Sequence, residues 1–239
     1  MRKSFSLLLS VILLASILIS CSKQQSNPAS SSNDTKTSEP PAASVPSATG
    51  EKILYLAHGP DDKFQAAWAD YGGFFKTALF RRLLMLNEKL EPVYKDLAKD
   101  YSVSPDGKTY TFTLRDDVKW HDGVPFTAED VKWSLKMALK SASINSVFSG
   151  AFSKIVGAED WKSDKADDLK GVTVEGDKLT IQLTEPVGVF PLVMAQWPPY
   201  PKHLLEKEDP AKLHLSSFWE KPIGNGPYML TEVKPNNYA

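Results

Sequence analysis

Cysteine is nearly absent from this chain of 239 residues, and the single one, Cys21, excludes an intrachain disulfide. Histidine is also scarce, with 4 residues that are far apart and lack the spacing of zinc ligands, so we expect no metal and no cofactor. The formal net charge of -1 gives no reason to expect nucleic acid as a partner. The sequence has no serine nucleophile elbow and no phosphate-binding loop, so it predicts a protein that is not an enzyme.

Long apolar runs are scarce as well, and the longest, residues 7–19, is short for a membrane span. Arg2 and Lys3 precede it, and the residues that end at Cys21 read Leu-Ile-Ser-Cys. This order fits a bacterial lipobox, so we predict a signal peptide over residues 1–20 and lipid attachment at Cys21. Two alternatives stay open: an ordinary signal peptide followed by an incidental cysteine, and a retained transmembrane anchor.

Large apolar residues then almost disappear, because residues 22–50 are dominated by Ser, Pro, Ala, Thr and Asn. Such a segment cannot bury enough apolar surface to offset the entropy lost on ordering. We therefore interpret residues 21–50 as a lipidated N-terminus with a disordered linker, and residues 51–239 as the folded part. An extracytoplasmic location follows, anchored to the bacterial cell membrane or in the periplasm.

The most regular pattern in the folded part lies in residues 104–139. It opens with Ser-Pro-Asp-Gly, which predicts a type I turn. Residues 108–114 then alternate between threonine and large apolar residues, which predicts a half-buried strand. Residues 118–120 predict a second short strand. Thr127 is a good N-cap with Asp130 in the capping-box position, and a helix follows that buries Val131, Ser134, Leu135 and Ala138.

Elsewhere the predictions rest on shorter patterns. Alternation on both sides of Gly176-Asp177 predicts a β-hairpin. Helical spacing predicts helices over residues 74–85, 189–195 and 202–207. The remaining predictions are strands over residues 53–57 and 228–233, and a loop over residues 141–151.

Residues 104–136 resemble the signature of the family 5 extracellular solute-binding proteins, the dipeptide-, oligopeptide- and nickel-binding receptors of ABC importers. Residues 183–187 (Leu-Thr-Glu-Pro-Val) and 222–228 (Pro-Ile-Gly-Asn-Gly-Pro-Tyr) resemble two further segments of that family, with Asn225 where Thr is usual. One departure is Arg81-Arg82 in residues 80–84, where the family has Glu-Gly before the Leu pair.

The resemblance implies an α/β fold, the first lobe of a two-lobed periplasmic-binding-protein-like (type II, cluster C) fold with an inserted β-rich subdomain. Residues 51–84 and 202–239 would form the core lobe, and residues 85–201 the inserted subdomain. Family members are about twice as long, so the resemblance implies an N-terminal fragment. It also implies a monomer that delivers its ligand to an ABC permease in the membrane.

Peptide is the ligand class that the resemblance favours, although other members take nickel chelates, opines or sugars. By position, the family's backbone contacts to a peptide correspond to Trp68, Ala69 and Asp70, and an aromatic contact corresponds approximately to Phe148. Tyr71 and Trp197 join this predicted ligand site, because aromatic residues in loops can line a cleft. The alternative is that each aromatic residue has only a packing role.

Two other functions stay open. One is a lipid-anchored surface peptide receptor that senses without transport. The other, which the sequence supports less, is a secreted hydrolase that uses His121 and Asp122.

Overall fold

A four-stranded antiparallel sheet and the helix that covers it form the centre of the fold in the computed structural model, which describes residues 74–232 except 143 and 145. In chain order, the elements are α1 (Phe74–Leu79), β1 (Leu84–Met85), β2 (Tyr94–Lys95), β3 (Ala98–Val103), β4 (Thr109–Leu114), α2 (Ala128–Lys140), α3 (Ser146–Phe152), α4 (Ala158–Lys162), β5 (Val172–Glu175), β6 (Lys178–Gln182), α5 (Phe190–Met194) and α6 (Lys202–Leu205). Two 3₁₀ helices, Pro210–Leu215 and Ser217–Glu220, follow. The described fold is thus mixed helix and sheet.

The sheet has the order β3-β4-β6-β5, and the predicted alternation sets its register. Phe112 lies opposite Leu179, and Tyr110 lies opposite Ile181. These four side chains are buried, whereas the threonines of β4 stay partly exposed. Because opposed side chains in an antiparallel pair share one face, this register puts a continuous apolar layer on one face of the sheet, and α2 packs on the sheet at β5 and β6.

The helix α2 begins as its sequence predicts. Asp130 accepts hydrogen bonds from the backbone N–H of Thr127 at 2.8 Å and from its hydroxyl at 3.1 Å. The other carboxylate oxygen of Asp130 accepts from the N–H of Lys202 at 3.0 Å, so one buried carboxylate fixes the starts of α2 and α6 together. The predicted inner face of α2 is buried as well, and Ser134 accepts from the N–H of Tyr200 at 2.8 Å.

The hairpin prediction is confirmed, with β5 and β6 joined at Gly176-Asp177 and Gly176 at a φ of 63°. Three other predicted elements were wrong in length or do not form. The predicted helix over residues 74–85 ends at Leu79, because a later segment of the chain binds its last carbonyl groups. The predicted strand over residues 118–120 reduces to one bridge between Lys119 and Pro125, and residues 228–232 form no strand.

The predicted loop over residues 141–151 was also wrong, because α3 forms at Ser146–Phe152. Small and polar residues surround its three buried side chains, so local pattern gives little sign of a helix. Burial of Phe148, Ala151 and Phe152 against the core stabilises it instead. The strand predicted over residues 53–57 lies outside the described residues, and the division into core lobe and inserted subdomain stays a prediction.

Three lysines on one side of α2 bind the segment that precedes β5. Lys132 and Lys136 both contact Asp168, at 2.7 and 2.9 Å, and Lys140 contacts Asp164. Lys136 and Lys140 also lie over the ring of Trp161, 4.2 and 3.9 Å from its centroid. Spaced four residues apart, the lysines follow one helical face and hold this segment by charge as well as by packing.

We expect Asp168→Asn to lower the free energy of unfolding by about 1 kcal/mol at pH 7, since the carboxylate is half exposed and screened. Burial alone would raise the pKa of Asp168, but hydrogen bonds from Lys132 and Lys136 outweigh it and lower the pKa to about 2. A carboxyl group whose pKa is lowered on folding stabilises the fold at pH values above its unfolded pKa. This stabilisation is lost as the pH falls towards the folded pKa. The difference between wild type and variant, measured by urea unfolding, should therefore vanish between about pH 4 and pH 2.

The matched control is Asp167→Asn, since Asp167 is exposed and forms no hydrogen bond or ion pair with the described part of the chain. At pH 7 it should unfold at the same urea concentration as wild type. A gap between wild type and Asp168→Asn that stays constant down to pH 2 would contradict the ion-pair explanation.

Candidate functional site

The predicted ligand residues Phe148 and Trp197 come from distant parts of the chain and meet in one aromatic cluster. Phe152 stacks on Phe148 with a centroid distance of 6.3 Å and meets Trp197 edge-on at 5.1 Å. The exposed fractions of Phe148 and Trp197 are 1% and 0%. These rings can touch a ligand only if they move, so direct contact stays a prediction, whereas their packing role is plain.

The other predicted site residues, Trp68, Ala69, Asp70 and Tyr71, lie outside the described residues, as does the predicted lipid-attachment residue Cys21. The structure therefore brings together two of the six predicted ligand residues and leaves the others as predictions. Among residues 74–232, no helix is long and apolar enough to cross a bilayer, and no group of three His, Cys, Asp or Glu side chains could hold a metal ion.

The Lys-Trp-His-Asp-Gly turn of the signature connects three parts of the chain. Its N–H groups close it internally, with Gly123 donating to Trp120 and Trp120 donating to Val124, each at 2.8 Å. Asp122 caps the turn, accepting from the N–H of Val124 at 3.2 Å. The two side chains of the proposed hydrolase pair bind different partners: Asp122 contacts His203 of α6 at 2.7 Å, and the ring of His121 contacts the carbonyl of Gly226 at 3.0 Å.

The contact between Asp122 and His203 also changes the acidity of the carboxyl group. Burial alone would raise the pKa of Asp122, but the hydrogen bond with His203 and the N–H of Val124 lower it below the ordinary value. The carboxylate form is therefore favoured, and it ties the signature turn to α6. Within the described residues, the contacts of Asp122 and His121 join the signature turn to α6 and to Gly226.

The segment Gly224-Asn225-Gly226 closes the end of α1. The N–H groups of Asn225 and Gly226 donate to the carbonyl of Leu79 at 3.0 and 2.7 Å, and the N–H of Tyr228 donates to Ala78 at 3.2 Å. The carbonyl of Gly224 in turn accepts from the N–H of His121 at 2.8 Å. The last carbonyl groups of a helix have no partner within it, so this segment supplies the missing donors and joins α1 to the signature turn.

Arg81 and Arg82 lie directly after this helix end. Arg81 binds Asp96 through Nη1 at 2.6 Å and the carbonyl of Asn225 through Nε at 3.2 Å. Arg82 donates through Nε to the carbonyl of Gln196 at 3.2 Å and through Nη2 to the hydroxyl of Thr77 at 3.1 Å. These two arginines are the departure from the family pattern in residues 80–84. In the sequence they stand out as two adjacent cations in an apolar segment.

Known proteins of one family are similar to this chain in sequence. The profile of the bacterial extracellular solute-binding proteins, family 5 Middle, matches residues 92–239. The dipeptide-binding protein DppE of Bacillus subtilis is 34% identical over 199 residues, which cover 78% of this chain and 34% of DppE. The oligopeptide-binding protein OppA of the same species is 32% identical over 167 residues, 68% of this chain and 30% of OppA.

Solved structures give the same result. The murein tripeptide binding protein MppA of Escherichia coli is 31% identical, with a TM-score of 0.57 over 73% of this chain and 35% of MppA. NikZ from Campylobacter jejuni, solved with Ni(L-His), is 31% identical, with a TM-score of 0.56 over 72% of this chain and 31% of NikZ. The chain thus spans about a third of the length of the relatives it matches. It belongs to the bacterial extracellular solute-binding proteins of family 5.

Proposed function

We propose that this protein is the substrate-binding component of a bacterial ABC importer, which captures a short peptide and delivers it to a membrane permease. The observation that carries the proposal is the family match over residues 92–239 together with relatives named for dipeptide and oligopeptide binding. The signature elements of this match also form one connected unit in the structure, from β4 through the 121–123 turn to α2.

The proposed mechanism is reversible capture. Residues 68–71 would pair with the backbone of an extended peptide, as an added strand does. The aromatic cluster around Phe152 would give the capture site a rigid base, since its rings are buried and closely packed. Closure of a second lobe over the ligand would then produce the form that the permease recognises.

Isothermal titration of the native gene product with di- to pentapeptides tests this proposal. We expect micromolar or tighter affinity for at least one length class, and no heat from the equivalent free amino acids. A nickel–histidine complex is the control for the other ligand chemistry in the family, because NikZ was solved with it. Binding of that complex in place of every peptide would contradict the peptide assignment.

We also propose that Cys21 carries a lipid that holds the protein at the outer face of the cell membrane. Labelling of cells with a radioactive fatty acid should mark the wild type and leave the Cys21→Ser variant unmarked. Uptake of a labelled peptide by cells distinguishes an importer from a sensing receptor. Deletion of the gene should abolish uptake if the protein belongs to an importer, and should leave uptake unchanged if it is only a sensor.

A further inference from the structure

The guanidinium of Arg82 is a half-buried cation without a counter-charge in the described part of the chain. Its two side-chain partners, the carbonyl of Gln196 and the hydroxyl of Thr77, are both neutral. No carboxylate of the described residues lies within 4.0 Å of it. Burial lowers the pKa of Arg82, and the more distant Tyr200 and Asp96 offset this only in part. A cation removed from water usually has an anionic partner, so this one calls for an explanation.

Asp96 is the nearest candidate for that partner, but Arg81 already occupies it. One oxygen of the Asp96 carboxylate binds Nη1 of Arg81 at 2.6 Å, and the other accepts from the backbone N–H of Arg82 at 3.3 Å. The carboxylate is buried, with an exposed fraction of 9%, so it has little room for a second guanidinium. Two arginines therefore share one carboxylate, and the net charge of this cluster is positive.

The guanidinium is also oriented and open. Its contacts with Gln196, which follows α5, and with Thr77 of α1 fix the plane of the group. Nη1 has no acceptor among the described residues and is not one of their fully buried unpaired polar atoms, so it keeps some access to solvent. Thr77 is exposed, which places the open side at the surface of α1. An oriented guanidinium with a free edge matches the geometry of a carboxylate.

We propose that Arg82 binds a carboxylate of the captured solute, either the C-terminal carboxylate of a peptide or an acidic side chain. This inference rests on the proposed function, because it assigns a specificity residue to the same capture site. Gln196, which holds the guanidinium, directly precedes Trp197 of the predicted ligand site. The ligand would thus supply the negative charge that the described residues do not.

The test measures the affinity of the native gene product for three peptides: Ala-Phe-Ala, its C-terminal amide, and the amide of Ala-Asp-Ala. A preference for the first indicates the C-terminal carboxylate, and a preference for the third indicates an acidic side chain. We expect Arg82→Gln to lower affinity for the preferred carboxylate peptide by about tenfold to a hundredfold and to leave affinity for the neutral amide unchanged. Arg82→Lys should restore part of the loss, because it keeps the charge without the planar fork.

The matched control is Arg115→Gln, since Arg115 is an exposed arginine that already pairs with Asp117. It should not change the preference for carboxylate over amide. Glutamine at position 82 still offers a donor to the carbonyl of Gln196, and circular dichroism checks that the variant is folded. An equal loss of affinity for acid and amide would indicate a purely structural role and would overturn the inference.

A second readout does not depend on peptide binding. If the wild type binds no peptide in either the acid or the amide form, the proposed function fails. The melting temperature with and without succinate then tests Arg82 by itself. A rise in Tm with succinate in the wild type that is lost in Arg82→Gln supports the carboxylate site. If succinate causes no rise in Tm that depends on Arg82, the carboxylate site is overturned. The counter-charge of Arg82 would then come from another part of the protein.

Discussion

Gly224→Ala should lower the free energy of unfolding by about 3 kcal/mol or more, in a urea titration monitored by circular dichroism. A Cβ at this position would overlap the carbonyl oxygen of Leu79 and lie 2.8 Å from its carbonyl carbon. Both atoms belong to the backbone of α1, so neither can move aside as a flexible side chain could. To relieve the overlap, the segment from Gly224 to Gly226 must separate from the end of the helix.

That separation has a large effect because several hydrogen bonds depend on the close approach. The carbonyl of Leu79 would lose the donors Asn225 and Gly226, and the N–H of His121 would lose the carbonyl of Gly224. Each buried polar group left without a partner costs about 1–3 kcal/mol. Gly226→Ala should behave in the same way, since its Cβ would lie 2.6 Å from the carbonyl carbon of Leu79.

Gly150→Ala is the matched control. Gly150 lies inside α3, and a Cβ there meets nothing within 4 Å. Alanine is the better helix former, so this variant should be more stable than wild type by about 0.5–1 kcal/mol. Equal stability of Gly224→Ala and wild type would mean that the helix end and the glycine segment are not in contact in solution.

The close approach of these glycines also shows where prediction from sequence stopped. The alternation of β4, the capping acid Asp130 and the Gly-Asp hairpin are local signals, and each led to the element that the structure has. The end of α1 at Leu79 has no local signal, because its cause lies about 145 residues later, at Asn225. A boundary set by a distant segment is not visible in a window of neighbouring residues.

The site was predicted less completely than the fold, for a related reason. Phe148 and Trp197 stand among polar and proline residues, which is typical of loop aromatics, yet both are buried around Phe152. Their burial arises from α3, the helix that the sequence did not predict. Arg82 was overlooked because the lack of a counter-charge is a property of three-dimensional neighbours, and only the structure shows that Arg81 occupies Asp96.

Trp197→Ala should be the second strongly destabilising variant, with a loss of about 3–5 kcal/mol in the free energy of unfolding. The indole is fully buried and meets Phe152 edge-on at 5.1 Å, so truncation leaves a large cavity in the aromatic cluster. A shift of the urea midpoint to lower concentration, with an unchanged slope, measures this loss.

Trp197→Phe should stay within about 1 kcal/mol of wild type, because two effects oppose each other. The smaller ring leaves part of the space unfilled, which destabilises the fold. Trp197 Nε1, however, is a buried donor without an acceptor in the described structure, and phenylalanine removes that unpaired group. The pair of variants therefore separates loss of volume from loss of the polar atom.

The same conservative variant decides whether Trp197 contacts the ligand. If the ring acts only by packing, Trp197→Phe binds peptide with an affinity within about twofold of wild type, which is the result that its complete burial leads us to expect. A loss of tenfold or more in a variant of normal stability would show instead that the ring reaches the ligand, as the sequence predicted. Since Gln196 holds the guanidinium of Arg82, such a loss would also place the proposed carboxylate site and the aromatic cluster at one wall of the capture site.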